Sequence, residues 1–182
     1  MEKLIVFGIL SIPLIVISWR TLFSIKSHGF YRFLSWECIL WLAVSNFKYW
    51  FLNPFGFYQI LSWIFLVYSV YLVIAGTRLL KKTAKAKDNR NEQALYAFER
   101  TAELITTGIF NYIRHPMYSS LLFLTWGIFL KNTDQTLLPV SLISTVLLYI
   151  TARIDEQECL NYFGEKYRNY MLRTKMFVPF LF

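Results

Sequence analysis

Charge is what this chain has least of. Only 16% of its 182 residues are charged, against 56% hydrophobic and 19% aromatic. That balance is too apolar for a soluble domain of this length and points to an integral membrane protein. Cysteine is scarce as well. Cys38 and Cys159 are expected in a spanning helix and in the C-terminal tail, far apart and reduced, which excludes a disulfide framework. His28 and His115 are the whole histidine complement. With no Cys/His/carboxylate group at ligand spacing, the sequence argues against a metal. The basic residues give a formal net charge of +8, yet they interleave with apolar runs and form no stripe, which argues against nucleic acid.

What the chain does have is apolar runs. Residues 4–19, 33–52, 57–80 and 137–152 are easily marked, and 117–130 is a shorter fifth. A spanning helix needs about 20 residues, so the first three qualify readily and the last two are short. Short, proline-interrupted segments persist at membrane depth only where they line a cavity or lean on protein. The first run follows Lys3 but lacks a small-x-small cleavage site, since Trp19-Arg20-Thr21-Leu22 stands there, so it reads as a retained helix. The fold expected is all-α: a polytopic membrane helical bundle of about five transmembrane helices. No internal repeat and no second domain are visible.

Basic residues set the expected orientation. Arg20, Lys26 and Arg32 follow the first run, and Lys81, Lys82, Lys85, Lys87, Arg90, Arg100 and Arg114 follow the third. Arg153, Lys166, Arg168, Arg173 and Lys175 lie near the C-terminus. The other side keeps little beyond Lys3 and Lys131. Five crossings would place the N-terminus outside and the C-terminus in the cytoplasm, with anionic membrane lipid favoured at the cytoplasmic face.

Residues 81–100 read as a solvated loop, and 92–104 as a helix with Leu95, Phe98, Ala102 and Ile105 at three- and four-residue steps. Beyond Ile154, Glu156, Leu160, Phe163, Tyr167 and Tyr170 share one helical stripe. Gly164 interrupts it as a bend or a close approach. The tail from Phe177 is apolar and is expected against the membrane boundary.

Topology brings polar residues together. Each leg of the 117–130/137–152 hairpin covers roughly 22–27 Å, so Arg114, His115, Arg153, Asp155 and Glu156 should meet at one, cytoplasmic, end. Polar side chains at membrane depth are costly and are usually kept for a ligand or a reaction. Plainer readings exist for each: Arg114 as a topology anchor, Pro116 as a first-turn residue, Tyr112, Tyr118 and Tyr167 as interfacial aromatics, the acids as ion-pair partners. Glu37 and Lys48 have no evident site role, and Glu158 reads as dispensable.

Leu104-Ile-Thr-Thr-Gly-Ile-Phe-Asn-Tyr-Ile-Arg-His-Pro-Met-Tyr118, then Asp155-Glu156, then Phe163-Gly164-x-x-Tyr167-x-x-Tyr170 resembles the isoprenylcysteine carboxyl methyltransferase and phospholipid methyltransferase family. The resemblance covers roughly residues 101–182. It implies S-adenosylmethionine (SAM) in a cytoplasm-facing pocket and a bilayer-open tunnel for a lipophilic acceptor: a prenylcysteine carboxylate, a phospholipid amine or a similar small thiol or amine. It implies one membrane domain, with three spanning helices over 1–80, a cytoplasmic connector over 81–103 and a methyltransferase-like hairpin and tail over 104–182. By position, Arg114, His115, Pro116, Tyr118, Tyr112 and Tyr167 carry over to cofactor binding, Leu104, Ile105 and Gly108 to the adenosine end, and Asp155 and Glu156 to the family's glutamate pair. Arg114 and Glu156 are the implied catalytic residues, holding the cofactor's carboxylate and ammonium.

Three departures stand out. Asp155 shortens the first acidic arm, Gly108-Ile-Phe110 stands where many members have Gly-Pro-Tyr, and Ser119-Ser120 stand where a glycine is common. A reductase relative using a nicotinamide cofactor, which would need a longer chain, and a non-catalytic membrane protein retaining the fold are the alternatives.

Overall fold

The computed structural model describes residues 1–83 and 103–179. Within them the protein is helical, and the one β-bridge joins Ile113 to Lys175. Six α-helices follow in order: α1 (Glu2–Leu22), α2 (His28–Asn46), α3 (Phe57–Thr83), α4 (Pro116–Phe129), α5 (Leu138–Phe163) and α6 (Glu165–Arg173). Of the loop expected over 81–100, residues 81–83 form the end of α3 and the rest lie outside the described residues; of the helix expected over 92–104, only 103 and 104 are described, and they are not helical.

By length and composition, α1, α3 and α5 are able to cross a membrane, and with α2 and α4 they make a helical membrane bundle. The other two expected crossings are less complete. Helix α4 has 14 residues, about 21 Å at ~1.5 Å rise per residue. Helix α2 has 19 residues and carries Arg32 and Glu37. Both charges are provided for. The Arg32 guanidinium lies 5.5 Å from the Trp36 ring centre, and Glu37 accepts from Ser11 Oγ of α1 at 2.7 Å. Large apolar side chains such as Ile9, Ile12 and Val16 on α1 and Ile64 and Val67 on α3 are left exposed. In water that would be a defect; against lipid it is the expected outer surface.

Inside the bundle, small polar side chains tie helix to helix. Ser144 of α5 bonds Ser35 of α2 at 3.0 Å and Thr125 of α4 at 3.1 Å. Ser62 and Ser69 of α3 donate to the Gly127 and Ser120 carbonyls of α4 at 2.6 and 2.8 Å. In a bilayer, where burying apolar surface gives little drive for association, close packing and such bonds hold helices together. Accordingly α3 packs chiefly on α4, and α2 on α5.

Two expectations about the C-terminal part are corrected. Helix α5 does not end near Ala152. It continues to Phe163, because nothing between Arg153 and Tyr162 breaks it and its buried stripe continues through Glu156 and Cys159. The break falls at Gly164, with φ +59°, a conformation open to glycine at little cost. The described start of the tail, in turn, packs on protein: Met176 and Phe177 are buried with Tyr118 and Ala152, while residues 180–182 lie outside the described residues. Its backbone has partners in the loop before α4, which a lipid boundary would not supply.

Candidate active site

The site is built where the loop before α4, the C-terminal half of α5, α6 and the tail converge. Pro116 opens α4 at its first turn, where a missing N–H costs nothing. That fixes Arg114 and His115 as the last extended residues before the helix. The tail then stitches them in place. Arg114 N donates to Lys175 O at 2.8 Å, Lys175 N to Tyr112 O at 3.0 Å, and His115 N to Met176 O at 3.2 Å. The Ser119 hydroxyl donates to the Phe177 carbonyl, and Tyr170 Oη to Phe110 O at 2.6 Å. The tail is therefore a wall behind the loop, bracing it without lining the cleft.

Beneath this wall lies a dense charge cluster. Arg114 Nε donates to Glu156 Oε1 at 2.8 Å, its Nη1 to the Met171 carbonyl at 3.2 Å, and Nη1 also to the Thr174 carbonyl. Glu156 is only 2% exposed and takes Arg153 Nη1 at 3.1 Å on its other oxygen. Its charge is thus held from two sides. His115 sits above, with Nδ1 3.3 Å from Asp155 Oδ2 and Nε2 3.6 Å from Glu156 Oε1. Burial alone would lower the His115 pKa, but bonding and attraction to the two carboxylates outweigh it and raise it. Burial drives the hydroxyls of Tyr167 and Tyr170 well above their ordinary range, so both are neutral walls.

A cleft of about 110 Å³ opens over the cluster. It gathers Leu104, Ile105, Arg114, His115, Pro116, Tyr118, Asp155 and Tyr167 from the residues expected at the site. Three others stand apart from its lining. Glu156 is buried behind Arg114 and His115, and Tyr112 is about half exposed. Gly108 shapes the loop: its φ is +59°, and a Cβ there would come within 2.7 Å of Leu79 Cδ1. Phe110, Phe163, Cys159 and Tyr170 also line the cleft. Phe163 and Tyr170 were legible on the helical stripe; nothing in the sequence marks Cys159.

Glu158, expected to be dispensable, is paired: its Oε2 lies 2.6 Å from Nδ1 of His28, which is fully buried. Helical position explains the difference. Two residues beyond Glu156 on α5 is a turn of about 200°, which directs Glu158 away from the Arg114 side. Donor atoms of His28, Asp155 and Glu158 lie within 4.8 Å of one another, but the short His28–Glu158 contact already satisfies two of the three.

The donor set can be tested against the SAM that the resemblance implies. Arg114 lines the cleft and its Nη2 has no partner among the described residues, which fits a carboxylate. His115 Nε2 is buried with no hydrogen-bond partner among them. The rings of Phe110, Tyr118, Phe163 and Tyr167 on the lining fit both a purine and a sulfonium. The residues present fit the group.

Comparison with known proteins places the chain in a family. The family model for phospholipid methyltransferases matches residues 55–166. Among curated proteins, the chain is similar to a methanethiol S-methyltransferase of Pseudomonas deceptionensis, 33% identical over 75 residues, 40% of this chain and 27% of that protein. It is also similar to one of Crocosphaera subtropica, 25% identical over 76 residues, 42% of this chain and 29% of the relative. The match thus spans less than a third of the length of these relatives. No solved structure matches. The family match runs from just before α3, across the Arg114–His115 loop and the α5 carboxylates, into α6, and the chain belongs to the phospholipid methyltransferase family.

Proposed function

We propose that this protein transfers a methyl group from SAM to a small lipophilic acceptor, a thiol in the first instance. One observation carries the reading: a cleft with aromatic walls has the His115–Asp155 pair and Arg114 in its lining, over a fully neutralised buried carboxylate. The thiol is favoured because the matched relatives are named for methanethiol. The donor would supply an electrophilic methyl group on a cationic sulfur.

The chain's own residues do the rest. Arg114 offers Nη2 to the donor's carboxylate, while its other nitrogens are anchored by Glu156, Met171 and Thr174. The tyrosine and phenylalanine faces stabilise the cation and exclude water. Asp155 keeps negative charge beside them. In-line displacement depends mainly on alignment, which a stitched loop and a buried ion pair supply. As the acceptor sulfur bonds to the methyl carbon, the bond from that carbon to the donor's sulfur breaks and the thiol loses its proton; Asp155 is the carboxylate on the lining to receive it. The same reading puts the cleft, Lys81 and the C-terminus on the cytoplasmic side, because basic residues concentrate there.

The test is incubation of the purified protein in detergent with methyl-labelled SAM and, in separate tubes, methanethiol, a prenylcysteine analogue and phosphatidylethanolamine. Label in the volatile thioether supports the reading. Label only in the prenylcysteine ester or the phospholipid replaces the acceptor. No SAM binding, with NADPH binding instead, would turn the protein into a reductase relative.

A further inference from the structure

The chain's two histidines attach to the same turn of α5. His115 meets Asp155 and Glu156 from the loop before α4, and His28 meets Glu158 from the start of α2. His28 lies outside the stretch that the family model matches, which begins at residue 55. It is nevertheless fully buried. Ser27 caps α2, accepting from Gly29 N at 3.2 Å, so the His28 backbone is fixed in the first turn. A buried imidazole at 2.6 Å from a carboxylate is a charge-assisted contact, stronger than a neutral one.

Asp155 lies between the two histidines. One of its oxygens is 3.3 Å from His115 Nδ1, and its carboxylate falls within 4.8 Å of both a ring nitrogen of His28 and the Glu158 carboxylate. Two carboxylates this close, Asp155 and Glu158, repel each other unless a cation separates them. The His28 imidazole occupies that place. Without it, Asp155 would turn from Glu158 or take up a proton, and either change loosens its hold on His115.

We propose that His28, fastened by Glu158, is a positioning residue of the methyl-transfer site: the N-terminal helices contribute it, and it holds the Asp155 carboxylate against His115. This rests on the methyltransferase reading, but the contact itself can be tested without turnover. The groups facing His115 are Asp155 and Glu156 from α5, Arg114 beside it, Tyr118 from α4, and Tyr167 and Tyr170 from α6. None is altered by substitution at His28 or Glu158.

The experiment uses the full-length protein in detergent with labelled imidazole rings, comparing wild type, His28→Gln and Glu158→Gln. In His28→Gln the sole remaining histidine is His115, so its NMR titration is assigned without ambiguity. Loss of a neighbouring cation alone would raise the His115 midpoint. Loosening of Asp155 lowers it, and a fall toward the ordinary value of 6.5 in His28→Gln is the expected result; Glu158→Gln removes an anion and lowers the midpoint by itself, so it is read by turnover alone. An unchanged or raised midpoint overturns the proposal.

Turnover gives a second readout. With methyl-labelled SAM and methanethiol, kcat should fall about tenfold to hundredfold through misalignment, with KM for the thiol little changed. The double variant should be no worse than the poorer single one. Additive losses, or a lowered midpoint with undiminished kcat, overturn the positioning role. Should wild type transfer no methyl group to any acceptor, the functional reading fails while the His115 midpoint still decides whether His28 positions Asp155. His28→Asn also removes the imidazole and serves if His28→Gln does not fold.

Discussion

Two charges are buried at opposite ends of the α4–α5 hairpin, where α5 alone rises about 27 Å from Leu138 to Glu156 at ~1.5 Å per residue, and the protein treats them differently. At the α4–α5 turn, Lys131 is 4% exposed. Its Nζ lies 3.6 Å from the Trp63 ring centre and 5.4 Å from that of Trp50, and donates to Gln59 Oε1 at 3.1 Å. Gln59 returns a bond to the Lys131 carbonyl at 3.0 Å. No carboxylate pairs with it among the described residues; aromatic faces and one amide suffice. At the other end Glu156 is met by Arg114, Arg153 and His115. The lysine end is a closed lock. The glutamate end gathers Arg114, Arg153 and His115 around one carboxylate, and Arg114 Nη2 is the atom left over that a ligand would use.

The largest expected effect tests this contrast directly. Arg114→Ala removes the bond to Glu156, the bonds to Met171 and Thr174, and the anchor of the tail. Stranding a buried carboxylate costs about 3–5 kcal/mol. Thermal unfolding in detergent should show the loss, and Arg114→Ala/Glu156→Gln should recover part of it. A folded Arg114→Ala protein of unchanged stability would mean that Arg153 alone carries Glu156. Loss of SAM affinity without loss of stability would make Arg114 purely a ligand residue.

At the lysine end, Lys131→Met keeps the stem and removes the charge. Cation–π contacts of this kind contribute about 1–2 kcal/mol when desolvated, and methionine recovers some of it by packing. The expected loss is therefore about 1 kcal/mol, with methyl transfer unaffected. A loss comparable to that of Arg114→Ala, measured in the same detergent, would erase the distinction between lock and site.

The two ends should also part company with pH. The folded His115 holds its proton more tightly than the unfolded chain does. Its contribution to stability is therefore complete below 6.5 and is lost as pH rises through the higher folded value. Melting temperatures recorded from about pH 6 to about pH 9 should fall across that window. His115→Gln should remove its part of the fall, and Lys131→Met should leave it in place. A fall that His115→Gln left unaltered would mean the imidazole is neutral throughout.

How much of this was legible in the sequence follows from the range of each interaction. The hairpin legs and the meeting of Arg114, His115, Arg153 and Asp155-Glu156 followed from span lengths alone, because helix rise is fixed. Pro116 marked the start of α4 for the same local reason. The extension of α5 to Phe163 was missed because Arg153 and the acids read as a boundary; in the fold they pair with each other and the helix need not stop. The His28–Glu158 contact joins residues 130 apart in sequence, and no periodicity relates α2 to α5. The tail's backbone bonds to residues 112–115 were equally invisible, since main-chain pairing leaves no trace in side-chain pattern.

The smallest effect separates buried from exposed acid–arginine pairs. Glu165 and Arg168 in α6 stand 3.3 Å apart at i,i+3, with side chains 74% and 69% exposed. Water screens them, and each long side chain loses freedom in pairing, so the contact contributes little. Glu165 also lies in the first turn of α6, where a negative charge is mildly favoured by the helix dipole. Glu165→Gln should therefore cost less than about 0.5 kcal/mol, and what loss there is should shrink in high salt. Glu156→Gln, the same substitution nine residues earlier on α5, should leave Arg114 and Arg153 facing a neutral amide and should be insensitive to salt. The comparison is made by unfolding both variants in one detergent at low and high ionic strength. Equal losses from the two would show that burial, and the cations gathered around Glu156, do not distinguish the site end from the protein's solvated face.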